Sequence, residues 1–182
     1  GRLSDQLQGF YGSTYRDDEG RTHTIATTQF ESTDARRAFP CWDEPDLKAV
    51  FSVTLVTADG LLAISNGPEI GREDAGDGRV RVRFADTMPM STYLVAFVVG
   101  SLDATEPVDV DGVPLRIVHR PGKADLTPFA AEVGAFCLRY FADYYGIPYP
   151  DKKMDMVGLP DFAQGAMENL GCITYRESLL LV

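Results

Sequence analysis

Cysteine and histidine are scarce in this sequence, which has three Cys and two His among its 182 residues. The cysteines, Cys41, Cys137 and Cys172, are widely spaced, odd in number and without a Cys-x-x-Cys pair. This pattern favours unpaired thiols in a reducing compartment, so we expect a cytoplasmic location. His23 and His119 are too few and too far apart for a self-contained zinc site, so no metal site is expected within this chain.

Long apolar runs and clusters of basic residues are also missing. The longest apolar run, residues 93–99, is far shorter than the roughly 20 residues that a membrane-spanning helix needs. Lys and Arg number 17 against 27 Asp and Glu, which gives a formal net charge of −10. The basic residues are scattered, whereas binding to a nucleic-acid backbone requires clustered positive charge. We therefore expect neither a nucleic-acid partner nor a membrane partner.

The composition is that of a folded domain whose ends lie inside a longer protein. An apolar content of 45% excludes intrinsic disorder. The chain opens without an initiator Met, and its last four residues, 179–182, are all apolar. Natural termini are usually polar and at the surface. We expect a segment of a longer parent, with self-association through edges that the parent would cover.

Strand patterns occupy most of the first 120 residues. Residues 79–86 alternate basic with apolar side chains, which predicts a half-buried antiparallel strand. Turn residues at 17–20 predict a hairpin between two flanking strands, at 11–15 and 23–28. Many short strands separated by turns indicate an antiparallel β-sandwich or a similar sheet. The other predicted elements are strands at 49–56, 92–99 and 112–119 and a helical turn at 34–38.

A helical pattern begins near residue 128. Thr127 is suited to the N-cap, Pro128 to the first helical position, and Gly146 to the C-terminal stop. Short strands are predicted at 153–158 and 172–175, so the chain is mainly β with an α/β end. We place a domain boundary at residue 120/121, which divides the chain into 1–120 and 121–182. Apolar residues on one face of the helix predict its buried side, at positions 129, 133, 136, 140 and 144.

One short segment carries specific chemical information. Residues 165–169 read GAMEN, and this motif resembles the zinc aminopeptidases similar to aminopeptidase N. Its flanks agree with that family, with GLPDF at 158–162 and LGCITYR at 170–176. A second similar block reads TQFE at 28–31 and FPCWDEP at 39–45. The two blocks stand in the family's order with a helix between them, so the resemblance covers nearly the whole chain.

The resemblance implies the later part of a β-rich, saddle-like N-terminal domain, followed by the beginning of a thermolysin-like catalytic domain. In the family, an HExxH helix and a further Glu hold zinc, which activates the attacking water. This sequence has no HExxH. Zinc is therefore expected only in the intact parent, with ligands beyond Val182, and the segment alone is expected to be inactive.

The resemblance also implies a substrate with a free N-terminus. Such an α-amine has a pKa of about 7.7–8.0 and is largely cationic at neutral pH. Glu168, within GAMEN, and Glu31, from the other block, are expected to bind this ammonium ion. Gln29 is expected to accept from the ammonium or to bond the backbone of the first residue.

The remaining GAMEN residues are expected to line the path of the substrate. Gly165 and Ala166 are small, so an extended peptide could lie against their backbone as an added strand. Met167 is expected either to touch the pocket for the first side chain or to pack in the core. By contrast, residues 43–45 are interpreted as a packed turn.

The function that these residues favour is removal of single N-terminal residues from peptides by the intact parent. Two alternatives stay open, namely a non-catalytic scaffold relative of the family and a relative that hydrolyses a lipid epoxide. A Glu rather than a Gln at position 31 favours amine binding, and so the peptidase.

Overall fold

Three β-sheets and one long helix make up residues 3–182, the part of the chain that the computed structural model describes. Strands account for 39% of the residues and helices, with three short 3₁₀ turns included, for 17%, which confirms the mainly β prediction. The strands are β1 (Gly9–Arg16), β2 (Thr22–Gln29), β3 (Thr54–Ala58), β4 (Leu62–Ser65), β5 (Glu69–Gly76), β6 (Arg79–Phe84), β7 (Phe97–Gly100), β8 (Asp103–Ala104), β9 (Val108–Val110), β10 (Val113–His119), β11 (Met154–Leu159), β12 (Ala166–Met167) and β13 (Cys172–Arg176). The helices are α1 (Pro128–Tyr145) and the single turn α2 (Glu177–Leu180).

The predicted hairpin forms the edge of a four-stranded antiparallel sheet in the order β1-β2-β7-β4. Asp17 shapes its turn, because its carboxylate accepts hydrogen bonds from the backbone amides of Glu19 and Arg21. A separate three-stranded antiparallel sheet has the order β3-β6-β5. Its central strand, β6, carries the predicted alternation, with Val82 and Phe84 buried and the arginines exposed.

A sheet of six strands joins the two halves of the sequence. Its order is β12-β13-β11-β10-β8, with β9 also paired to β10. β10 and β11 are parallel and connected through α1, so they form a βαβ unit. Every residue of β11 is buried, as expected for a strand covered on both faces. The predicted boundary at 120/121 falls in the connection from β10 to α1 and stays a prediction, while the sheet itself continues across it.

The two faces of the six-stranded sheet contact different layers. Val118, Val157 and Leu159 face the four-stranded sheet and pack with Tyr11 and Ile25 from its strands. The other face packs against α1 and α2. That second core contains Leu115, Ile117, Met154, Met156, Ala130, Ala135 and Leu180.

Helix α1 has the predicted ends but not the predicted buried face. Gly146 lies at the C-cap in the left-handed region, at φ 65°, and Thr127 lies at the N-cap position. The hydroxyl of Thr127 donates to the carbonyl of Ala124 and so does not cap the helix. The helix contacts the sheet through small residues, with Gly134 facing Met156, because these allow the closest approach. The residues predicted to be buried are instead exposed, at positions 129, 133, 136, 140 and 144.

Two of the predicted strands begin later than the sequence suggested. In the segment 49–56, Ala49 forms an isolated bridge with Met90, the carbonyls of Phe51 and Val53 accept single backbone hydrogen bonds, and the strand itself starts at Thr54. In the segment 92–99, the chain first makes a short 3₁₀ turn at Thr92–Leu94 and becomes a strand at Phe97. Thr92 is drawn into this turn because its hydroxyl donates to the buried carboxylate of Asp43, a partner 49 residues away.

Within residues 3–182, no helix has both the length and the apolar content needed to cross a membrane.

Candidate substrate-binding site

The GAMEN segment lies at the edge of the six-stranded sheet. Residues 166 and 167 form β12, which pairs antiparallel with β13 through Ala166 with Tyr175 and Met167 with Thr174. Among residues 3–182 no strand pairs with the other side of β12. An edge strand of this kind exposes backbone groups that an extended peptide can pair with.

Side chains of the motif alternate between the core and the surface. Met167 is 1% exposed and packs in the core between the sheets. Ala166 and Glu168 are exposed. Within residues 3–182, the carboxylate of Glu168 takes part in no ion pair or side-chain hydrogen bond. It is therefore available to an external cation.

The second block places Gln29 at the end of β2, with Glu31 just after it. Glu31 is exposed, whereas Gln29 is 1% exposed. The Oε1 atom of Gln29 is buried and has no hydrogen-bond partner among residues 3–182. A buried acceptor without a donor is uncommon, because leaving it unpaired costs about 1–3 kcal/mol.

The two blocks meet through the residues that flank them. Ile25 of β2 and Met167 of β12 share one core cluster. Phe30, between Gln29 and Glu31, is the largest member of a second cluster, against which Leu170 packs. The fold thus brings a segment near residue 30 and a segment near residue 168 to the same region, although the sequence separates them widely.

A buried asparagine holds the turn that follows Glu168. Asn66, at the end of β4, is 0% exposed. Its Nδ2 atom donates to the carbonyls of Leu94 and Leu170, both at 2.8 Å, and its Oδ1 atom accepts from the amide of Ala96 at 2.9 Å. No local pattern in the sequence points to this contact, since Leu170 is 104 residues away from Asn66.

A buried lysine contacts the same turn. Lys153 is 6% exposed, and its ammonium donates to the carbonyls of Ser65 and Gly171 and to the carboxylate of Asp155. Asp155, which is 1% exposed, also accepts two hydrogen bonds from Arg116, and this contact raises the pKa of the Arg116 guanidinium. The buried charges are therefore fully paired, as burial requires.

The segment before the motif is held by β1 and β13. The carboxylate of Asp161 accepts from the amide of Thr14 at 2.9 Å, and the amide of Asp161 donates to Ser13 Oγ at 2.9 Å. Arg176 donates from its guanidinium to the carbonyls of Phe162 and Ala163. The GAMEN segment is therefore anchored on both of its sides.

Three other side chains have contacts within the fold. Asp43 is 6% exposed and accepts from Thr92 and from both the amide and the guanidinium of Arg36. His23 pairs with Asp17 at 2.8 Å. Cys172 is buried, and burial raises the pKa of its thiol to about 12, so it is not a reactive thiolate.

The donor groups of the described residues do not fit a zinc ion. Among residues 3–182, no three His, Cys, Asp or Glu side chains converge in a way that could hold a metal. Zinc prefers three or four such ligands.

Comparisons with known proteins agree with the motif. Residues 1–94 match the peptidase M1 N-terminal domain, and residues 129–182 match the peptidase family M1 domain. The chain is 49% identical over 181 residues to Aminopeptidase M1 of Arabidopsis thaliana, covering 100% of this chain and 20% of that protein.

Two animal proteins are similar over the same extent. The Puromycin-sensitive aminopeptidase of Caenorhabditis elegans is 44% identical over 183 residues, and Endoplasmic reticulum aminopeptidase 1 of Homo sapiens is 43% identical over 181 residues. Each comparison covers 100% of this chain and 19% of the relative, so the chain spans about a fifth of the length of these proteins. With one family domain matched over half of the chain and a second over its end, this chain belongs to the M1 family of peptidases.

Proposed function

We propose that this chain is the amine-binding part of an aminopeptidase that removes single residues from the N-termini of peptides. The observation that carries the proposal is the carboxylate of Glu168, which is exposed, has no side-chain partner among residues 3–182 and lies directly after the edge strand β12. A substrate that pairs with this strand would bring its N-terminal ammonium towards the carboxylate. A charge-assisted hydrogen bond then holds the ammonium ion.

Glu31 supplies the second carboxylate in this proposal. Its exposure, and the packing of Phe30 and Leu170 in one hydrophobic cluster, support its placement near Glu168. Gln29 has an open acceptor at Oε1, which supports a role towards the ammonium, but the side chain must turn outward because it is buried.

The packing around Gly165 indicates that the fold of this chain does not require a glycine at this position. A Cβ atom built on Gly165 would have only one neighbour within 4 Å, Leu179 Cδ1 at 3.4 Å. The fold of this chain therefore does not itself demand glycine there. Space for a substrate backbone beside Gly165 and Ala166 is the requirement that we assign to these residues.

The zinc ion implied by the family is assigned to ligands outside this chain. The chain's own contribution is to bind and orient the N-terminus of the substrate, which sets the distance from the ammonium to the bond that is cut. The isolated chain should accordingly show no hydrolysis.

The proposal is tested with Glu168→Gln in the intact parent protein. Gln keeps the shape and removes the charge, so the variant loses a charge-assisted hydrogen bond of about 1.5–3 kcal/mol. We expect kcat/KM on an aminoacyl-arylamide to fall by about 10- to 150-fold. Glu106→Gln, an exposed Glu between β8 and β9, is the matched control and should keep the rate of the parent.

The same assays separate the other candidates. A Glu168→Gln variant with the parent's kcat/KM and full zinc content would show that Glu168 is structural. An intact parent that cleaves no free-amine substrate would favour the scaffold role, and turnover of a lipid epoxide would favour the epoxide hydrolase.

A further inference from the structure

The segment that carries Glu168 depends on contacts made by its backbone. The Glu168 side chain is exposed and unpaired within residues 3–182, so nothing on the carboxylate itself fixes its position. Two residues later, the carbonyl of Leu170 accepts a hydrogen bond from Asn66 Nδ2 at 2.8 Å. The pairing of Met167 with Thr174 holds the residue before Glu168, and the carbonyl of Asn169, directly after it, accepts from the amide of Cys172 at 3.0 Å. The orientation of Glu168 therefore depends on this pairing and on how the turn at 169–171 is held, to which Asn66 contributes at Leu170.

Only a carboxamide satisfies the groups around position 66. Two carbonyl oxygens, of Leu94 and Leu170, require donors, and the amide of Ala96 requires an acceptor. Asn supplies both donors and the acceptor from one planar group. An Asp of the same size keeps the acceptor and loses both donors, and because Asn66 is 0% exposed, water does not replace them in the intact packing.

The backbone of Asn66 also touches the turn. A Cβ atom built on Gly171 would lie 2.2 Å from the carbonyl oxygen of Asn66. The amide of Gly171 donates to the hydroxyl of Tyr149 at 2.9 Å, and its carbonyl accepts from Lys153 and from the amide of Asp155. The turn is therefore fixed at Gly171 by several contacts, whereas the carbonyl of Leu170, nearer to Glu168, accepts one side-chain hydrogen bond, from Asn66.

We infer that Asn66 is a positioning residue for substrate-amine binding, acting through the backbone of Leu170 on Glu168. This inference rests on the proposed function, because it requires that Glu168 bind the ammonium. A residue that follows β4 in the four-stranded sheet would thereby affect substrate binding at the edge of the six-stranded sheet.

The test measures recognition of the amine separately from the rest of the site. The probes are L-leucine hydroxamic acid and 4-methylpentanoic hydroxamic acid, which differ only in the α-amine and are assayed as inhibitors of the intact parent. The ratio of their inhibition constants reports the contribution of the amine. General damage to the site weakens both inhibitors and leaves the ratio unchanged.

We expect Asn66→Asp to weaken the amine-bearing inhibitor by about 10-fold or more, while the binding of its des-amino analogue changes less than about twofold. Asn66→Ala removes the same donors without adding a buried charge and should give the same selective loss. Tyr15→Phe is the matched control, because it removes one hydrogen bond, to the carbonyl of Ser101, away from the turn. It should leave the ratio at the parent's value.

The double variant Asn66→Ala/Glu168→Gln distinguishes this inference from the proposed function. If Asn66 acts through Glu168, the double variant should have the ratio of Glu168→Gln alone, since the two losses share one route. An unchanged ratio in Asn66→Ala beside a lost ratio in Glu168→Gln overturns the positioning role alone. An unchanged ratio in Glu168→Gln overturns the amine anchor and the positioning role together. Equal weakening of both inhibitors, or failure of both Asn66 variants to fold, assigns Asn66 to stability and overturns the inference.

Discussion

Asp43 shows how one buried carboxylate joins distant residues. Burial raises its pKa, but hydrogen bonds from Thr92 and Arg36 outweigh that effect, so the net pKa is lowered. Its Oδ1 atom accepts from Thr92 at 2.6 Å and its Oδ2 atom from Arg36 at 3.0 Å. Because the pKa is lower in the folded state, the ionised form stabilises the fold above the unfolded pKa, near ~3.9.

We expect Asp43→Asn to lower the free energy of unfolding of the 182-residue chain by about 1.5–3 kcal/mol at pH 7. Because the pKa of Asp43 is lowered in the folded state, its stabilisation of the fold is present at neutral pH. This stabilisation is lost as the pH falls through the folded-state pKa of Asp43. Urea denaturation at pH 7 and at pH 3 measures the difference. If the free energies of unfolding of the parent chain and of Asp43→Asn differ as much at pH 3 as at pH 7, this assignment is contradicted.

Single residues also show where sequence reasoning ends. Glu168 and Glu31 were identifiable because the motifs that contain them are specific, and both are exposed as an amine anchor requires. The burial of Gln29 was not predictable, since it depends on the sheet that packs over β2. Asn66 and Lys153 gave no local signal, because their partners are backbone carbonyls far along the chain. Whether the candidate residues bind substrate stays a prediction.

Elements with a strong local signal were predicted well. The β1–β2 hairpin and the ends of α1 follow from turn residues and from Pro128 and Gly146. The prediction of which face of α1 is buried was wrong. The large apolar residues of the helix form the clearer pattern, but the small residues are the ones that contact the sheet. The strands β8 and β12 have two residues each, too few for a pattern to reveal. They exist only through pairing with β10 and β13.

The turn between β12 and β13 makes a testable demand on Gly171. Its φ of 72° lies in the left-handed region, and an added Cβ would meet the carbonyl oxygen of Asn66 at 2.2 Å. Gly122 has a similar φ of 80° with nothing within 4 Å of such a Cβ. Alanine at either position incurs about 1–2 kcal/mol of left-handed strain, and only position 171 adds a backbone collision.

We expect Gly171→Ala to destabilise the chain clearly more than Gly122→Ala in urea denaturation. The comparison isolates the collision, because the conformational strain is common to both variants. Equal losses in the two proteins would mean that the turn at Gly171 moves freely away from Asn66, and the tight contact described above would then be of little consequence.

At the scale of the whole molecule, the most unusual surface is the aromatic face of α1. Phe136, Tyr140 and Tyr144 are 63%, 48% and 69% exposed and stack along the helix, with ring centroids 5.7 and 5.9 Å apart. A contiguous exposed apolar patch promotes association. The C-terminal run expected to do so is half buried, with Leu180 at 4% and Leu181 at 7% exposure.

We expect the 182-residue chain to self-associate through this aromatic face. Replacement of Phe136, Tyr140 and Tyr144 by Gln should shift the chain towards monomer in sedimentation velocity experiments without lowering its stability, since the side chains are exposed. Trp42→Gln is the control, because Trp42 is 81% exposed outside this face. A parent chain that stays monomeric at high concentration would contradict the prediction.

The strand pairings of the six-stranded sheet also determine the order in which its strands can assemble during synthesis from the N-terminus. β10 is complete before residues 120–153 are added, an interval of roughly 2–7 s at ~5–20 residues per second. During this interval β8 and β9 can pair with one edge of β10, while the other edge, which later pairs with β11, stays unpaired. β12 leaves the ribosome before β13, its partner strand within residues 3–182, and β13 in turn pairs with β11. The strand that carries the GAMEN residues is thus the last of this sheet that can be set in place.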